Sequence, residues 1–407
     1  MIVLSLQSGT SADGIDVAVV DGTRLDASDR PALELRVLHT ATVEWAPELR
    51  DQLLAVAAGE PLTAGGFCEL DTRLGQAFAD AAAAGVEASG ATPDLVVSHG
   101  QTLFHWVEAG HARGTLQLGE PAWIAERVGA PVLSNVRAAD IAAGGEGAPL
   151  MALFDRVWLG AEAAATARVI ATVNLGGIAN VQLVRPDGDV VAFDSGPGNG
   201  LIDAVVARGT DGRLAYDDGG RLAAAGRVRR PLLDELLRHP YFAAPAPKST
   251  GRETFDLGVV DRAVAASGRP AISLEDLAAT LTELTARTVV DAIPAADAPS
   301  ALIASGGGAL NPVLLARLTA LAAARGIDVV SSASRGIDPA FKESLMFALL
   351  GYLSWHGVPA QLSSDGTGEP RIAGRFTSGR MPLRLPAPLA GVASVTITST
   401  DPGGTPR

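Results

Sequence analysis

The chain has 407 residues, more than one hydrophobic core ordinarily organises, so two domains are the default expectation. Its formal charge is −13, from 45 acidic and 32 basic side chains, with no concentrated Lys/Arg stripe, which argues against nucleic acid or an anionic membrane as the principal partner. A single cysteine, Cys68, excludes an internal disulfide and a cysteine-based zinc site.

The opening Met1-Ile2-Val3-Leu4-Ser5 has no basic region ahead of its apolar run, so no signal peptide is read. Apolar stretches are broken by charge, Gly or Pro well short of the ~20 residues of a membrane span, and a cytoplasmic location is expected. Residues 2–6 and 15–20 read as consecutive strands, which places Ser8-Gly9-Thr10-Ser11-Ala12-Asp13-Gly14 in the turn of a hairpin. Such a turn can aim backbone N–H groups and hydroxyls at phosphates, and it can equally be only a turn. Residues 33–45 alternate apolar and polar as a third strand of an antiparallel sheet. Residues 46–88 are Ala/Leu-rich with helical spacing. A short buried strand over 94–98 then delivers Ser98-His99-Gly100-Gln101-Thr102 to its C-terminal end, where ligands gather in α/β sheets. Segments 116–118 and 130–135 flank a helix starting near Pro121, and a polar loop over 144–147 precedes an apolar helix.

A second sheet opens over 169–175 and continues through 180–184 and 190–193, repeating the hairpin logic of the N-terminus; the two halves suggest a duplicated fold with a cleft between them. Ser273-Leu274-Glu275-Asp276 has the form of a capping box ahead of a helix with Leu277, Leu281, Leu284 and Thr288 on one face. Residues 301–304 read as a buried strand ending in Gly306-Gly307-Gly308, whose open backbone can admit an adenine ring; Asn311-Pro312 opens a helix, where Asn311 can also be a simple N-cap. Residues 336–355 form another helix, 363–370 a linker or loop, and the chain frays from about 401.

Four glycine clusters, each following a predicted strand, point jointly to a nucleotide, although each alone can be structural. Neither a P-loop nor a Gly-x-Gly-x-x-Gly after a strand is present. Asp194 follows apolar residues 190–193 and precedes Gly196-Pro197-Gly198, so it can be a carboxylate held in a cleft as a general base, or a turn cap. Lys248-Ser249-Thr250-Gly251-Arg252-Glu253, after Pro245-Ala246-Pro247, suits a phosphate or a sugar, or a solvated surface turn. Of six histidines only His99 is placed near a ligand, and Glu343, on a largely apolar helix, can reach a sugar hydroxyl if it turns into the cleft.

Taken together, residues 8–16, 98–102, 117–121, Arg137 with 140–150, 174–180, 193–199, 240–255 and 306–312 resemble the anhydro-N-acetylmuramic acid kinase family, in order and at matching distances, from residue 2 to about 348. The resemblance implies the two-domain α/β fold of the sugar kinase, Hsp70 and actin superfamily, a duplicated ribonuclease H-like architecture with ATP in the interdomain cleft, with domains over 1–132 plus 372–407 and over 133–371. It implies an ATP-dependent enzyme that opens the 1,6-anhydro ring of anhydro-N-acetylmuramic acid with water and phosphorylates O6, in cell-wall sugar recycling. Asp194 would be the general base. Ser8, Gly9, Thr10, Ser11, Asp13 and Gly14 would surround the ATP phosphates, with Asp13 positioning hydrated Mg²⁺; Asn174, Gly176 and Gly177 would share the nucleotide site, and Gly306, Gly307, Gly308 and Asn311 would flank adenosine. Gln101, Thr102, Arg137 and Glu343 would face the sugar. The resemblance leaves room for a homodimer. This chain departs from the family pattern at Gln7 for Met, Glu146 for Gln, Ser344 for Ala and over 369–379. The alternatives are an ordinary sugar kinase of the same superfamily and an ATP-gated binding protein without catalysis.

Overall fold

A computed structural model gives the fold and describes residues 1–9, 12–251, 254–268, 271–360 and 369–399. The chain forms two compact units, Met1–Trp158 with Phe341–Arg407, and Leu159–Ala340.

The first unit opens with β1 (Ile2–Ser8), β2 (Ile15–Arg24) and β3 (Ala32–Val43), an antiparallel meander. β1 is buried nearly end to end rather than alternating, because Leu4 and Leu6 pack on Leu70, Leu74 and Phe78 of the helix Ala64–Ser89 while its other face takes a second helix. The Ala/Leu-rich stretch is two helices, Pro47–Ala57 and Ala64–Ser89, the second capped by Thr63, whose Oγ1 accepts from Gly66 N at 3.1 Å. Next, β4 (Leu95–Glu108) runs parallel to β1, β5 (His111–Leu118) returns antiparallel to β4, and β6 (Val132–Ser134) lies parallel on its other side. The strand expected to end at 98 thus continues to 108. Gly100 carries it through at φ +69°, and a Cβ there would stand 2.5 Å from the Leu118 carbonyl oxygen, so the glycine marks a close crossing rather than a stop. The helix Pro121–Val128 begins at its proline as expected, and Met151–Thr166 supplies the apolar helix after the 144–147 loop.

The second unit holds β7 (Ile170–Leu175), β8 (Ile178–Val184), β9 (Val190–Pro197), β10 (Ala301–Ser305) and β11 (Asp328–Ser331), in the order β11-β10-β7-β8-β9. β7, β8 and β9 pair antiparallel, whereas β10 and β11 join β7 in parallel. The first unit has the same arrangement in β6-β4-β1-β2-β3, so the expected duplication is present in both strand order and direction. The helix Leu274–Ala292 starts at Ser273, whose Oγ accepts from Asp276 N at 3.2 Å, and buries Leu281, Leu284 and Thr288; Leu277 is half-buried.

After the second unit the chain re-enters the first through the helix Lys342–Trp355, then adds β12 (Arg375–Thr377) beside β6 and β13 (Ser394–Ser399) beside β3. That helix starts six residues later than expected, because Gly336, at φ +80°, closes a preceding 3₁₀ turn in the left-handed region. It packs on β1, β2 and β4 so closely that a Cβ on Gly351 would meet Val97 at 2.2 Å. With β6 paired to β4 as well, the expected junctions at 132/133 and 371/372 fall inside the first unit, and the chain divides at 158/159 and 340/341 instead. Most of the expected 363–370 linker, and the tail from 401, lie outside the described residues. Among the described residues no helix is long and apolar enough to cross a membrane.

Candidate active site

In the first unit, two clusters form where β1 and β4 run side by side. The first is the turn after β1. Gln101 Nε2 donates to Gly9 O at 3.1 Å, and Ala12 N closes back on the same oxygen at 3.0 Å with Ala12 at φ +51°, a left-handed conformation unusual for a residue with a Cβ. Ser8 is buried, and its Oγ accepts from Trp45 Nε1 at 3.3 Å, so this hydroxyl is engaged in the core of the unit. Gly14 has a packing reason: a Cβ there would meet Thr42 at 2.6 Å. Asp13 is exposed, 3.8 Å from the Arg50 guanidinium. Thr10 and Ser11 lie outside the described residues.

The second cluster gathers His99, Thr102, Arg137 and Glu343. Arg137 donates through Nη1 to Gly147 O at 2.7 Å, and its Nη2 lies 3.4 Å from His99 Nε2, which is also 3.4 Å from Thr102 Oγ1. A guanidinium only donates, so His99 Nε2 accepts and the ring is neutral. Burial holds the His99 imidazole well below its ordinary range, with the Arg137 charge acting the same way. Burial raises the Glu343 carboxyl; Arg137 opposes that rise and Asp16 adds to it. Asp16, the last residue of the 8–16 stretch, accepts from Thr42 Oγ1 at 2.6 Å and Gln7 Nε2 at 3.3 Å, and burial raises its carboxyl too. Among the described residues, Gln101 Oε1, Gln117 Oε1 and His99 Nδ1 are buried without a hydrogen-bond partner in the protein, so the paired strands β4 and β5 present unspent donors and acceptors. The 144–147 loop is held rather than loose: Asp140 Oδ2 accepts from Gly147 N at 2.8 Å, and Glu146 accepts from Ala112 N at 2.7 Å.

In the second unit, Asp194 sits on β9, almost fully buried, and its carboxylate is clamped from two sides. Oδ1 accepts from Asn180 Nδ2 at 2.7 Å; Oδ2 accepts from Ser249 Oγ at 3.0 Å and Thr250 N at 2.8 Å. The backbone is fixed as well, with Asp194 N donating to Lys248 O at 2.9 Å and Tyr241 OH donating to Asp194 O at 2.7 Å. Burial, helped by the Asp194 charge, pushes the Tyr241 phenol far above its ordinary value, so it stays a donor. Lys248 Nζ reaches Tyr241 O at 2.9 Å and sits 4.5 Å over the same ring, its ammonium lowered by burial. Because the clamp comes from a segment about fifty residues further on, Asp194 is no local turn cap. A carboxylate offers about four acceptor positions. Three are used here, which leaves one on Oδ1 able to take a proton.

The glycine turns of this unit converge on one patch. Asn199 N donates to Gly176 O at 2.7 Å and Gly198 N to Gly177 O at 3.0 Å; a Cβ on Gly306 would meet Asn174 Oδ1 at 2.4 Å, and one on Gly308 would meet Asn199 Oδ1 at 2.6 Å. Gly307 is exposed beside them. Asn311 caps the helix Pro312–Ala323, its Oδ1 accepting from Val313 N at 3.0 Å and Leu314 N at 3.1 Å, the simpler of its two readings. The structure therefore groups Asn174, Gly176, Gly177, Gly306 and Gly308 in the second unit, and Gly9 with Gln101, and Thr102 with Arg137, in the first. What sequence reasoning missed are the holders of Asp194: Asn180, Tyr241, Ser249 and Thr250 stood inside noted motifs, but no local spacing signals a partner so distant. Arg252 and Glu253 lie outside the described residues.

A family model described as anhydro-N-acetylmuramic acid kinase matches residues 1–377. The chain is 47% identical over 391 residues to the anhydro-N-acetylmuramic acid kinase of Streptomyces coelicolor, covering 95% of this chain and 96% of that one. It is 44% identical to that of Rhodococcus erythropolis, over 93% of this chain and 94% of the relative, and 42% identical to that of Xanthomonas campestris, over 91% and 96%. With a duplicated α/β topology and likeness along almost its whole length, the chain belongs to the anhydro-N-acetylmuramic acid kinase family.

Proposed function

We propose that Asp194 is the general base of the reaction this kinase catalyses, the ATP-dependent, hydrolytic opening of anhydro-N-acetylmuramic acid to N-acetylmuramic acid 6-phosphate. Water attacks the anomeric carbon while one of its protons passes to the free position on Asp194 Oδ1. The bond from the anomeric carbon to the bridging oxygen breaks, and that oxygen, now O6, takes the γ-phosphoryl group as ADP leaves. The observation that carries this reading is the carboxylate itself: three donors hold it in one orientation, and one acceptor position stays open.

Gln101, Thr102, Arg137 and Glu343 are the residues proposed to hold the sugar, a role supported for Gln101 by its buried, unpartnered Oε1 and for Thr102 and Arg137 by their shared contact with His99 Nε2. The nucleotide falls to Ser8, Gly9, Thr10, Ser11, Asp13 and Gly14 around the phosphates and to Asn174, Gly176, Gly177, Gly306, Gly307, Gly308 and Asn311 around the nucleoside, where the Ser8 O–H and the Asn311 N–H₂ keep their donors although their oxygens accept within the protein. Among the described residues no group of three His, Cys, Asp or Glu is arranged to hold a metal, so a protein cage for Mg²⁺ does not fit. The exposed Asp13 does fit a hydrated ion brought by ATP and bound through water, where Mg²⁺ would neutralise phosphate charge. A cytoplasmic site of action accords with ATP as the phosphoryl donor.

Asp194→Asn is expected to lower turnover by ~10² to 10⁴ while ATP binding persists, read as ADP release with anhydro-N-acetylmuramic acid and as nucleotide titration. A variant with most of its turnover removes Asp194 from the role. Heavy oxygen from solvent appearing at the anomeric carbon of the product separates this reaction from phosphorylation of a free hydroxyl.

A further inference from the structure

Of the polar side chains on β7 and β8, two are fully buried and face each other. Thr172 and Gln182 are fully buried and are direct cross-strand partners. An amide in such a place is costly unless its hydrogen bonds are made. Here they are made in a line. Thr172 Oγ1 donates to Gln182 Oε1 at 2.7 Å, Gln182 Nε2 donates to Asn180 Oδ1, and Asn180 Nδ2 donates to Asp194 Oδ1 at 2.7 Å. Asn180 is two residues from Gln182 and so on the same face of β8, directly opposite Asp194 of β9. The line follows one face of the sheet from a threonine hydroxyl to the carboxylate.

We infer that Gln182, backed by Thr172, is a positioning residue for Asp194, locking the Asn180 amide so that its N–H₂ and not its carbonyl meets the carboxylate. The inference rests on the reading of Asp194 as the base. An ionised carboxylate only accepts, so Asn180 must turn its N–H₂ toward it; the Asn180 oxygen then needs a donor, which is Gln182 Nε2; the Gln182 oxygen in turn needs one, which is the Thr172 hydroxyl. Every link runs in one direction, and reversing any of them leaves two oxygens facing. Freed from the line, the Asn180 amide can invert, place its oxygen against Asp194 and favour the protonated carboxyl, which is useless as a base. The titratable groups nearest to the carboxylate do not do this work. β8 carries none, Asp276 and Glu283 of the helix behind β9 are bonded to Arg229 and Arg317, and Tyr241 and Lys248 address the backbone of Asp194 and of Tyr241.

The test uses the full-length enzyme with ATP and anhydro-N-acetylmuramic acid, and reads kcat, KM for ATP and the pH profile of kcat/KM. Gln182→Glu, an isostere that only accepts when ionised, is expected to lower kcat by about tenfold or more, part of what a general base supplies. The acidic limb of its profile moves to higher pH and KM for ATP stays put. Thr172→Val is expected to move the limb the same way and Thr172→Ser, which restores the hydroxyl, to bring it back; this pair decides the matter should Gln182→Glu fail to fold. Profiles for Gln182→Glu and Thr172→Val that superimpose on the parent enzyme, while Asp194→Asn is inactive, overturn the inference alone. An active Asp194→Asn overturns the base assignment, and the inference with it.

Discussion

Glu343 and Asp16 put two carboxyls with raised affinity for protons in the first unit, and the sign of their effect on stability follows directly. Burial, the larger influence on both, lifts the folded-state value above the unfolded one. Between those two values the folded chain holds a proton that the unfolded chain has lost, so stability falls as pH rises through the window above the ordinary carboxylate range. Glu343→Gln is expected to flatten that fall; melting temperatures taken every half unit from acid to neutral would show it, and an unchanged slope counts against a half-buried, proton-holding Glu343. Gln7 Nε2 reaches both Asp16 Oδ2 at 3.3 Å and Ser344 Oγ at 3.5 Å, so one amide ties the raised carboxyl to the first turn of the helix Lys342–Trp355. Asp194 was legible as a residue because an acid after four apolar positions and before Gly-Pro-Gly is conspicuous. Its environment was not, because the donors that fix it come from positions 180, 249 and 250.

The glycine turns of the second unit were legible as a set, since each follows a strand, but which glycines need to be glycine is decided by packing. Gly198 is the sharpest case. A Cβ there would lie 2.1 Å from the Gly176 carbonyl oxygen, a backbone atom pinned in turn by Asn199 N at 2.7 Å. Gly198→Ala should therefore destabilise by about 1–3 kcal/mol, as overpacking does, and weaken nucleotide binding, measured by denaturant unfolding and titration. Gly160 is the opposite case: it lies inside the helix Met151–Thr166 with nothing within 4 Å of its missing Cβ, so Gly160→Ala should stabilise by about 0.4–1 kcal/mol. A null result for Gly198→Ala would mean that the two turns can part without cost. Strand lengths were less legible than strand positions. Gly100 punctuates the sequence like a terminator, while in space it is the residue that lets β4 pass under Leu118.

At the scale of the molecule, the duplicated topology was readable from the repeated strand–turn–strand hairpins, but the division of the chain was not, because it depends on contacts across hundreds of residues. Lys342 and Asp155 illustrate why. They are 187 residues apart and almost wholly buried together in the first unit, the Lys342 ammonium 2.8 and 3.0 Å from the two carboxylate oxygens and 5.4 Å over the Trp158 ring. Asp155 stands three residues before the chain leaves this unit and Lys342 one residue after it returns, so one ion pair fastens both crossing points. Burial lowers the Lys342 ammonium and the Asp155 charge opposes that, which identifies the carboxylate as what keeps a cation here. Removing Lys342 strips the buried Asp155 carboxylate of its ammonium partner. Lys342→Met is thus expected to cost about 3–5 kcal/mol in urea unfolding, whereas Lys342→Met with Asp155→Leu, which removes both charges and keeps the volume, should regain much of that loss. If the double variant is as unstable as the single one, the pair is held for its shape and not its charge, and the fastening at 155 and 342 is a matter of packing alone.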